Sequence, residues 1–200
     1  MIISVASGKG GTGKTTIATN LALSIGRNVQ FLDCDVEEPN AHIFIKPEMR
    51  ESHVVNILIP QVDQLKCGLC GKCQEVCAFN AIAVLKEEVL VFPEICHGCG
   101  SCTYFCPQGA INEINKELGF IEMGQRGDMP FIHGRLKIGS AIAPPIIKAI
   151  KKHINLTRTI IIDAPPGTSC PVIESIGSSD FCVLVTEPTP FGLNDLTLAV

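Results

Sequence analysis

The sequence predicts an α/β fold with a mostly parallel sheet that is interrupted by a cysteine-rich block. Two observations lead to this prediction. Short β-branched runs alternate with helical patterns, which is the order expected of βαβ units. Between residues 61 and 115 this alternation stops, and the sequence is rich in cysteine, glycine and residues typical of short turns. We therefore expect one domain made of residues 1–60 and 116–200 and a second, inserted domain made of residues 61–115.

The elements of the larger domain follow from hydrophobic periodicity. The predicted strands are 2–6, 29–32, 159–162 and 181–185, and the predicted helices are 15–25 and 145–153. The strand at 29–32 ends at Asp33, and the two later strands are each followed by a loop that contains proline. Ligands bind at the carboxyl edge of such sheets, so we expect the functional residues there.

Composition restricts the function. Hydrophobic residues make up 46% and charged residues 18%, so the chain is expected to fold. A net charge of -4 argues against a protein that coats nucleic acid or an anionic membrane. No apolar run reaches the roughly 20 residues of a spanning helix, and residues 1–6 lack the pattern of a secretory signal. We therefore expect a cytoplasmic protein with no integral membrane segment, in which cysteines bind metal instead of forming disulfides.

The first chemical motif is a phosphate-binding loop. Residues 8–15 read Gly-Lys-Gly-Gly-Thr-Gly-Lys-Thr, which fits G-x-x-x-x-G-K-[ST] between a predicted strand and a predicted helix. Lys14 would bridge the β- and γ-phosphates, and the Thr15 hydroxyl would bind Mg²⁺. The alternative is a glycine-rich turn with an incidental lysine, and the motif alone does not separate ATP from GTP. The predicted nucleotide-binding residues are Gly8, Lys9, Gly10, Gly11, Thr12, Gly13, Lys14, Thr15, Thr16 and Asp163.

Two carboxylates stand at predicted strand ends. Asp163 ends the strand at 159–162 and is expected to bind Mg²⁺ together with Thr15. Asp35 follows the strand at 29–32 and is expected to orient the attacking water. The alternative for each is an aspartate that merely caps the next helix or turn.

These residues resemble the deviant Walker A ATPases of the MinD/ParA superfamily. The resemblance implies that Lys9, Lys14 and Asp35 are catalytic, with Lys9 reaching nucleotide across a dimer formed around ATP. It also implies a homodimer, or a heterodimer with a related ATPase, and switch regions at 35–40 and 163–168. The fold of this superfamily extends further, so we expect more of the sheet beyond residue 200.

The second motif is a duplicated set of cysteines. Two runs with the spacing C-x2-C-x2-C-x3-C are offset by 29 residues throughout, since 96 − 67, 99 − 70, 102 − 73 and 106 − 77 all give that number. In such runs three cysteines bind one [4Fe–4S] cluster and the fourth binds the other cluster. The predicted ligands are Cys67, Cys70, Cys73 and Cys106 for one cluster, and Cys96, Cys99, Cys102 and Cys77 for the other.

The cysteine block resembles a bacterial two-cluster ferredoxin of α+β type. Ala78 stands where that motif usually has proline. Structural zinc is the alternative, although zinc sites favour pairs of C-x2-C. Of the remaining cysteines, Cys182 is expected to lie in the core, and Cys34 and Cys170 are expected to be packed free thiols. His97 is expected to be a solvated loop residue.

Together these features predict a protein of the MinD/ParA type in which ATP binding and hydrolysis drive electron transfer through two [4Fe–4S] clusters. The expected cofactors are ATP, Mg²⁺ and the two clusters, and the expected partner is a redox protein. Two alternatives are an ATP-controlled scaffold for iron–sulfur clusters and a nucleotide-dependent positioning switch.

Overall fold

The computed structural model describes all 200 residues, which divide into two compact units. The first unit comprises Met1–Val55, Gly119–Leu136 and Ala143–Val200, and the second comprises Asn56–Leu118 and Lys137–Ile142. The predicted insert at residues 61–115 lies within the second unit, which begins before it and ends after it.

The chain forms nine strands and seven helices. The strands are β1 (Ile2–Ser7), β2 (Val29–Asp33), β3 (Glu48–Val62), β4 (Ile82–Val84), β5 (Val89–Val91), β6 (Ile111–Arg126), β7 (Met129–Leu136), β8 (Thr159–Pro166) and β9 (Phe181–Leu184). The helices are α1 (Lys14–Ile25), α2 (Ala41–Ile45), α3 (Lys72–Glu75), α4 (Ser101–Tyr104), α5 (Pro144–Lys151), α6 (Cys170–Ile176) and α7 (Pro190–Ala199). None of the helices has both the length and the apolar content that crossing a membrane requires.

A seven-stranded sheet has the order β3-β6-β7-β2-β8-β1-β9. The five strands from β7 to β9 in that order are parallel, whereas β6 pairs with β7 in the antiparallel sense. The predicted mostly parallel α/β sheet is therefore confirmed. Parallel pairing brings the carboxyl ends of β1, β2 and β8 to the same edge, and Asp33 and Asp163 are direct neighbours in the register.

The long strands β3, β6 and β7 were not predicted from the sequence. Residues 48–54 of β3 are exposed on both faces, and so are residues 112–115 of β6. A strand without a buried face has no apolar alternation, which is the signal that identifies strands in a sequence.

The core of the first unit lies between the parallel strands and the helices that flank them. Phe31 of β2 and Phe131 of β7 stack with their ring centroids 5.8 Å apart, and Ala18 of α1 is fully buried in the same cluster. Helix α1 ends at Gly26, whose positive φ of 71° suits glycine and whose N–H donates to the carbonyl of Ala22.

Two expectations about single cysteines were wrong. Cys182 is exposed on β9, which lies at the edge of the sheet that these 200 residues form. Cys170 is also exposed, at the first residue of α6. Cys34 is fully buried, as expected.

The second unit repeats its own structure at the offset of the cysteine runs. Helices α3 and α4 begin and end 29 residues apart, and β4 and β5 form an antiparallel pair. Its core cluster contains Cys73, Cys102, Ile82, Val89 and Ile111. Because Cys73 and Cys102 belong to this core, packing against neighbouring side chains restricts the positions of their side chains.

Candidate functional site

The loop between β1 and α1 has the shape of a phosphate cradle. Gly11 and Gly13 have φ angles of 82° and 85°, a conformation that other residues adopt only at a cost. A Cβ on Gly8 would lie 2.5 Å from the carbonyl oxygen of Asp195, so only glycine fits at this position. The loop therefore leads its backbone directly into the amino-terminal end of α1, where N–H groups are free to bind an anion.

A cleft of about 320 Å³ opens beside this loop. Of the predicted nucleotide and catalytic residues, eight line it: Gly10, Gly11, Thr12, Gly13, Lys14, Thr15, Thr16 and Asp35. Gly8, Lys9 and Asp163 do not line it. The sequence analysis did not single out five further lining residues, which are Ser7, Glu38, Asn40, Phe44 and Pro166. Glu38, Asn40 and Pro166 fall in the predicted switch regions at 35–40 and 163–168, whereas nothing in the sequence marks Phe44.

Lys14 lies between two carboxylates. Its Nζ donates to Oδ1 of Asp163 at 2.5 Å and lies 3.7 Å from Oδ2 of Asp35. Lys14 is 6% exposed and Asp163 is fully buried, so the pair is shielded from water. The second carboxylate oxygen of Asp163, Oδ2, is buried and has no hydrogen-bond partner. An acceptor left unpaired in this way is available to a cation or a bound water.

The carboxyl groups at this edge have raised pKa values. Burial raises the pKa of Asp35 to about 6, with the nearby Asp163 adding to the effect and Lys14 opposing it. Burial also raises the pKa of Asp163, and burial together with the charge of Asp163 raises that of Asp33 well above its usual range. Three carboxylates thus share one lysine in a region of low polarity, an arrangement typical of functional sites.

Asp33 has a structural role that the sequence analysis did not assign. Its two carboxylate oxygens accept the backbone N–H groups of Asp35 and Ala41, both at 3.1 Å. Asp33 therefore fixes both ends of the 35–40 loop, which supplies Asp35 and Asn40 to the cleft.

Lys9 has an ion-pair partner within its own chain. Its Nζ donates to Oε2 of Glu187 at 2.9 Å, and the Lys9 side chain is 32% exposed. Glu187 follows β9 in a loop and was not among the predicted residues. The role expected for Lys9 at a second subunit stays a prediction.

The eight motif cysteines line two cavities. Each cavity has four of them, in the crossed sets that the spacing predicts. The first is lined by Cys67, Cys70, Cys73 and Cys106. The second is lined by Cys77, Cys96, Cys99 and Cys102. The ligation of iron stays a prediction.

Backbone groups point at the cysteine sulfurs in a duplicated pattern. The N–H of Ala81 donates to Sγ of Cys77 and the N–H of Ala110 donates to Sγ of Cys106, each at 3.3 Å. Such donors stabilise a thiolate. The hydroxyl of Ser101 lowers the pKa of Cys99 in the same sense.

Local backbone strain also follows the duplication. Leu69 and Asn80 both have a φ of 52°, and the residues 29 positions later, Gly98 and Gly109, have positive φ angles as well. Because a leucine rarely adopts this conformation, the loop shape is imposed by the surrounding structure.

All eleven cysteines are free, and no group of three or more His, Cys, Asp or Glu side chains is arranged around a single metal ion. A [4Fe–4S] cluster takes one thiolate on each of four irons, so its ligands lie around a larger body than one ion. Four cysteines around each cavity therefore fit a cluster better than they fit zinc.

Comparison with known proteins identifies the family of the chain. Residues 3–175 match the family model described as the CobQ/CobB/MinD/ParA nucleotide binding domain. An uncharacterized protein of Methanocaldococcus jannaschii is 36% identical over 98% of this chain and 70% of its own length. The polyferredoxin protein MvhB of Methanothermus fervidus is 32% identical over 38% of this chain and 18% of its own length.

Among solved structures, the septum site-determining protein MinD of Pyrococcus horikoshii, complexed with Mg-ADP, is 21% identical with a TM-score of 0.47. The alignment covers 97% of this chain and 60% of that protein, so the chain spans about three fifths of its length. On the extent of the family match and the identity to the M. jannaschii protein, the chain belongs to the CobQ/CobB/MinD/ParA nucleotide-binding domain family.

Proposed function

We propose that this protein binds and hydrolyses ATP and couples the resulting conformational change to electron transfer through two [4Fe–4S] clusters. The observation that carries the proposal is the presence, in one chain of a nucleotide-binding family, of two cavities that are each lined by four free cysteines. The partial likeness to a polyferredoxin supports the same conclusion.

The charges in the cleft suit a magnesium nucleotide. Lys14 would exchange its contact with Asp163 for the β- and γ-phosphates, whose charge is larger. Asp163 pairs with Lys14, which lines the cleft, and it has an unpartnered buried oxygen. Thr15 lines the cleft as well, so Asp163 and Thr15 fit a hard cation that prefers oxygen ligands. Binding of Mg²⁺-ATP would thus pair charges that are incompletely paired without it.

Asp35 is the residue that would orient the attacking water. It lines the cleft, and its raised pKa of about 6 means that the carboxyl group is ionised at neutral pH. Because burial disfavours this charge, a hydrogen bond donated to the carboxylate stabilises it. A carboxylate held in this way accepts a hydrogen bond from water and fixes its direction, which is the main task of the protein in phosphoryl transfer.

Lys9 would complete the site from a second subunit, in a homodimer or in a heterodimer with a related ATPase. Its pair with Glu187 is half-exposed, so water screens it and its separation costs little. In this proposal nucleotide binding competes with Glu187 for Lys9.

The chain itself connects the nucleotide loop to the cysteine-bearing unit. From Asp35 the chain continues through the 35–40 loop and α2 into β3, which enters the second unit at Asn56. Ordering of the 35–40 loop by nucleotide would therefore act on a segment that leads directly to the cysteines. When bound, the clusters supply one-electron transfer, and a redox partner protein donates or accepts the electrons. Thiolate ligands require a reducing compartment, which favours the cytoplasm.

Iron analysis and ATP turnover test the proposal together. After anaerobic reconstitution of the full chain, we expect four irons in each of two clusters, and about half of that iron when Cys77 and Cys96 are both changed to alanine. ATP hydrolysis should be lost in Lys14→Ala and in Asp35→Asn. The exposed carboxylate Asp128 provides the matched control, since Asp128→Asn should hydrolyse ATP at the wild-type rate. A chain that binds zinc in place of iron after reconstitution, or a Lys14→Ala variant with full activity, would contradict the proposal.

A further inference from the structure

The two cysteine cavities are covered differently, although the chain around them is duplicated. Phe79 and His97 line the second cavity, and their rings stack with centroids 3.8 Å apart and planes 10° from parallel. The residues 29 positions away, Gln108 and Gly68, line the first cavity. A ring stack thus occupies the place that an amide and a glycine occupy in the other half.

Each pair joins two loops that carry cysteines. Phe79 follows Cys77 of the first run, whereas His97 follows Cys96 of the second run. The stack therefore connects the segment that supplies one cysteine of the second cavity to the segment that supplies the other three. The two rings therefore form part of the cavity lining at the point where these two segments meet.

The first cavity has a weaker connection at the same place. The Gln108 side chain lies where a Cβ on Gly68 would be, with Nε2 2.5 Å from that position. This contact involves one flexible amide side chain and no aromatic ring.

The exposure of the cysteines differs in the same direction. Cys96 is buried, at 8% exposure, whereas its counterpart Cys67 is partly exposed. The other three counterpart pairs match: Cys73 and Cys102 are buried, Cys70 and Cys99 are exposed, and Cys77 and Cys106 are intermediate. The one difference lies at Cys96, which precedes His97 in the chain and lines the same cavity as the two rings.

We propose that Phe79 and His97 form an aromatic cover that shields the second cluster from reagents in solution, so that the two clusters differ in accessibility. The inference rests on the proposed function, because it concerns clusters bound at these cysteines. Apolar groups around a cluster control solvent access to it, and stacked aromatic pairs resist separation. The first cluster is then the one that soluble chelators and small oxidants reach first.

Release of iron to a coloured ferrous chelator measures this difference directly. The reconstituted full chain should lose iron in two phases of equal amplitude, with the slow phase about tenfold slower than the fast one. In Cys77→Ala, which lacks one ligand of the second cavity, the slow phase should disappear, and this identifies it with the second cluster.

Variants that exchange the two covers test the residues themselves. The double variant Phe79→Gln/His97→Gly gives the second cavity the cover of the first, and both clusters should then release iron in the fast phase. His97→Phe preserves a ring stack and should keep the slow phase. Gln108→Ala is the matched control at the first cavity and should leave the slow phase unchanged. If the double variant binds no iron at the second site, Phe79→Leu keeps an apolar side chain without the stack and should lose the slow phase in the same way.

The outcomes separate this inference from the proposed function. Absence of iron after reconstitution would overturn the proposed function. A full complement of iron that leaves in a single phase, or a slow phase that survives both Phe79→Gln/His97→Gly and Phe79→Leu, would overturn the aromatic cover and leave the proposed function intact.

Discussion

Replacing Asp35 with asparagine should stabilise the nucleotide-free protein at pH 7.5 while abolishing hydrolysis. The pKa of Asp35 is raised from 3.8 to about 6 in the folded chain. Well below pH 3.8 the carboxyl group is protonated in both the folded and the unfolded states, and it does not change the free energy of unfolding. As the pH rises, the unfolded chain loses this proton first, so folding becomes less favourable until the folded group also ionises near pH 6.

The magnitude follows from the difference between the two pKa values. At 1.36 kcal/mol for each pKa unit, a difference of about 2.2 corresponds to a cost of about 3 kcal/mol above pH 6. At pH 4.5 the same expression gives about 1 kcal/mol. We therefore expect Asp35→Asn to exceed the wild type in free energy of unfolding by about 3 kcal/mol at pH 7.5 and by about 1 kcal/mol at pH 4.5.

Anaerobic chemical denaturation without nucleotide, followed by far-UV circular dichroism, measures this difference. Asp128→Asn is the control. Because Asp128 is exposed, the free energy of unfolding of this variant should equal that of the wild type at both pH values. An Asp35→Asn variant that is less stable than the wild type at pH 7.5, or whose gain is equal at both pH values, would refute the assignment of a buried, electrostatically strained carboxylate.

Three further predictions use other parts of the nucleotide-binding unit. Lys14→Ala leaves Asp163 buried without its cation and should destabilise the protein by about 3–5 kcal/mol at pH 7.5, as measured by denaturation. Gly8→Ala should cost about 1–3 kcal/mol because its Cβ would meet the Asp195 carbonyl, whereas Gly10→Ala, which has open space around it, should fold normally in the same assay. Burial lowers the pKa of His133 below its usual 6.5, so protonation of the unfolded chain should destabilise the wild type as the pH falls from 7.5 to 5.5. The denaturation midpoint of His133→Gln should fall less over this range, and parallel curves for the two proteins would contradict the prediction.

Local chemistry made the nucleotide loop and the cysteine sets predictable from sequence. A glycine-rich loop between an apolar strand and a helix has few alternative structures, and a repeated spacing of cysteines specifies which thiols come together. The structure brings seven of the nine loop residues 8–16 to one cleft, and it brings the cysteines into the two expected groups of four.

Features that depend on tertiary context were not predictable in this way. The exposed parts of β3 and β6 have no buried face, so their residues carry no periodic signal. Cys182 lies in an apolar strand, yet it is exposed at the edge of the sheet that these 200 residues form. Glu187 meets Lys9 only through the pairing of β1 with β9, which a local pattern does not reveal.

The central claim is that nucleotide and clusters act on each other, and an anaerobic redox titration followed by electron paramagnetic resonance tests it most directly. The titration compares the reconstituted protein with and without a non-hydrolysable ATP analogue and Mg²⁺, and it includes Lys14→Ala as the control. We expect the analogue to shift a cluster potential or line shape in the wild type and to leave Lys14→Ala unchanged. If the potentials and line shapes of both clusters in the wild type are the same with and without the nucleotide analogue, the coupling is contradicted.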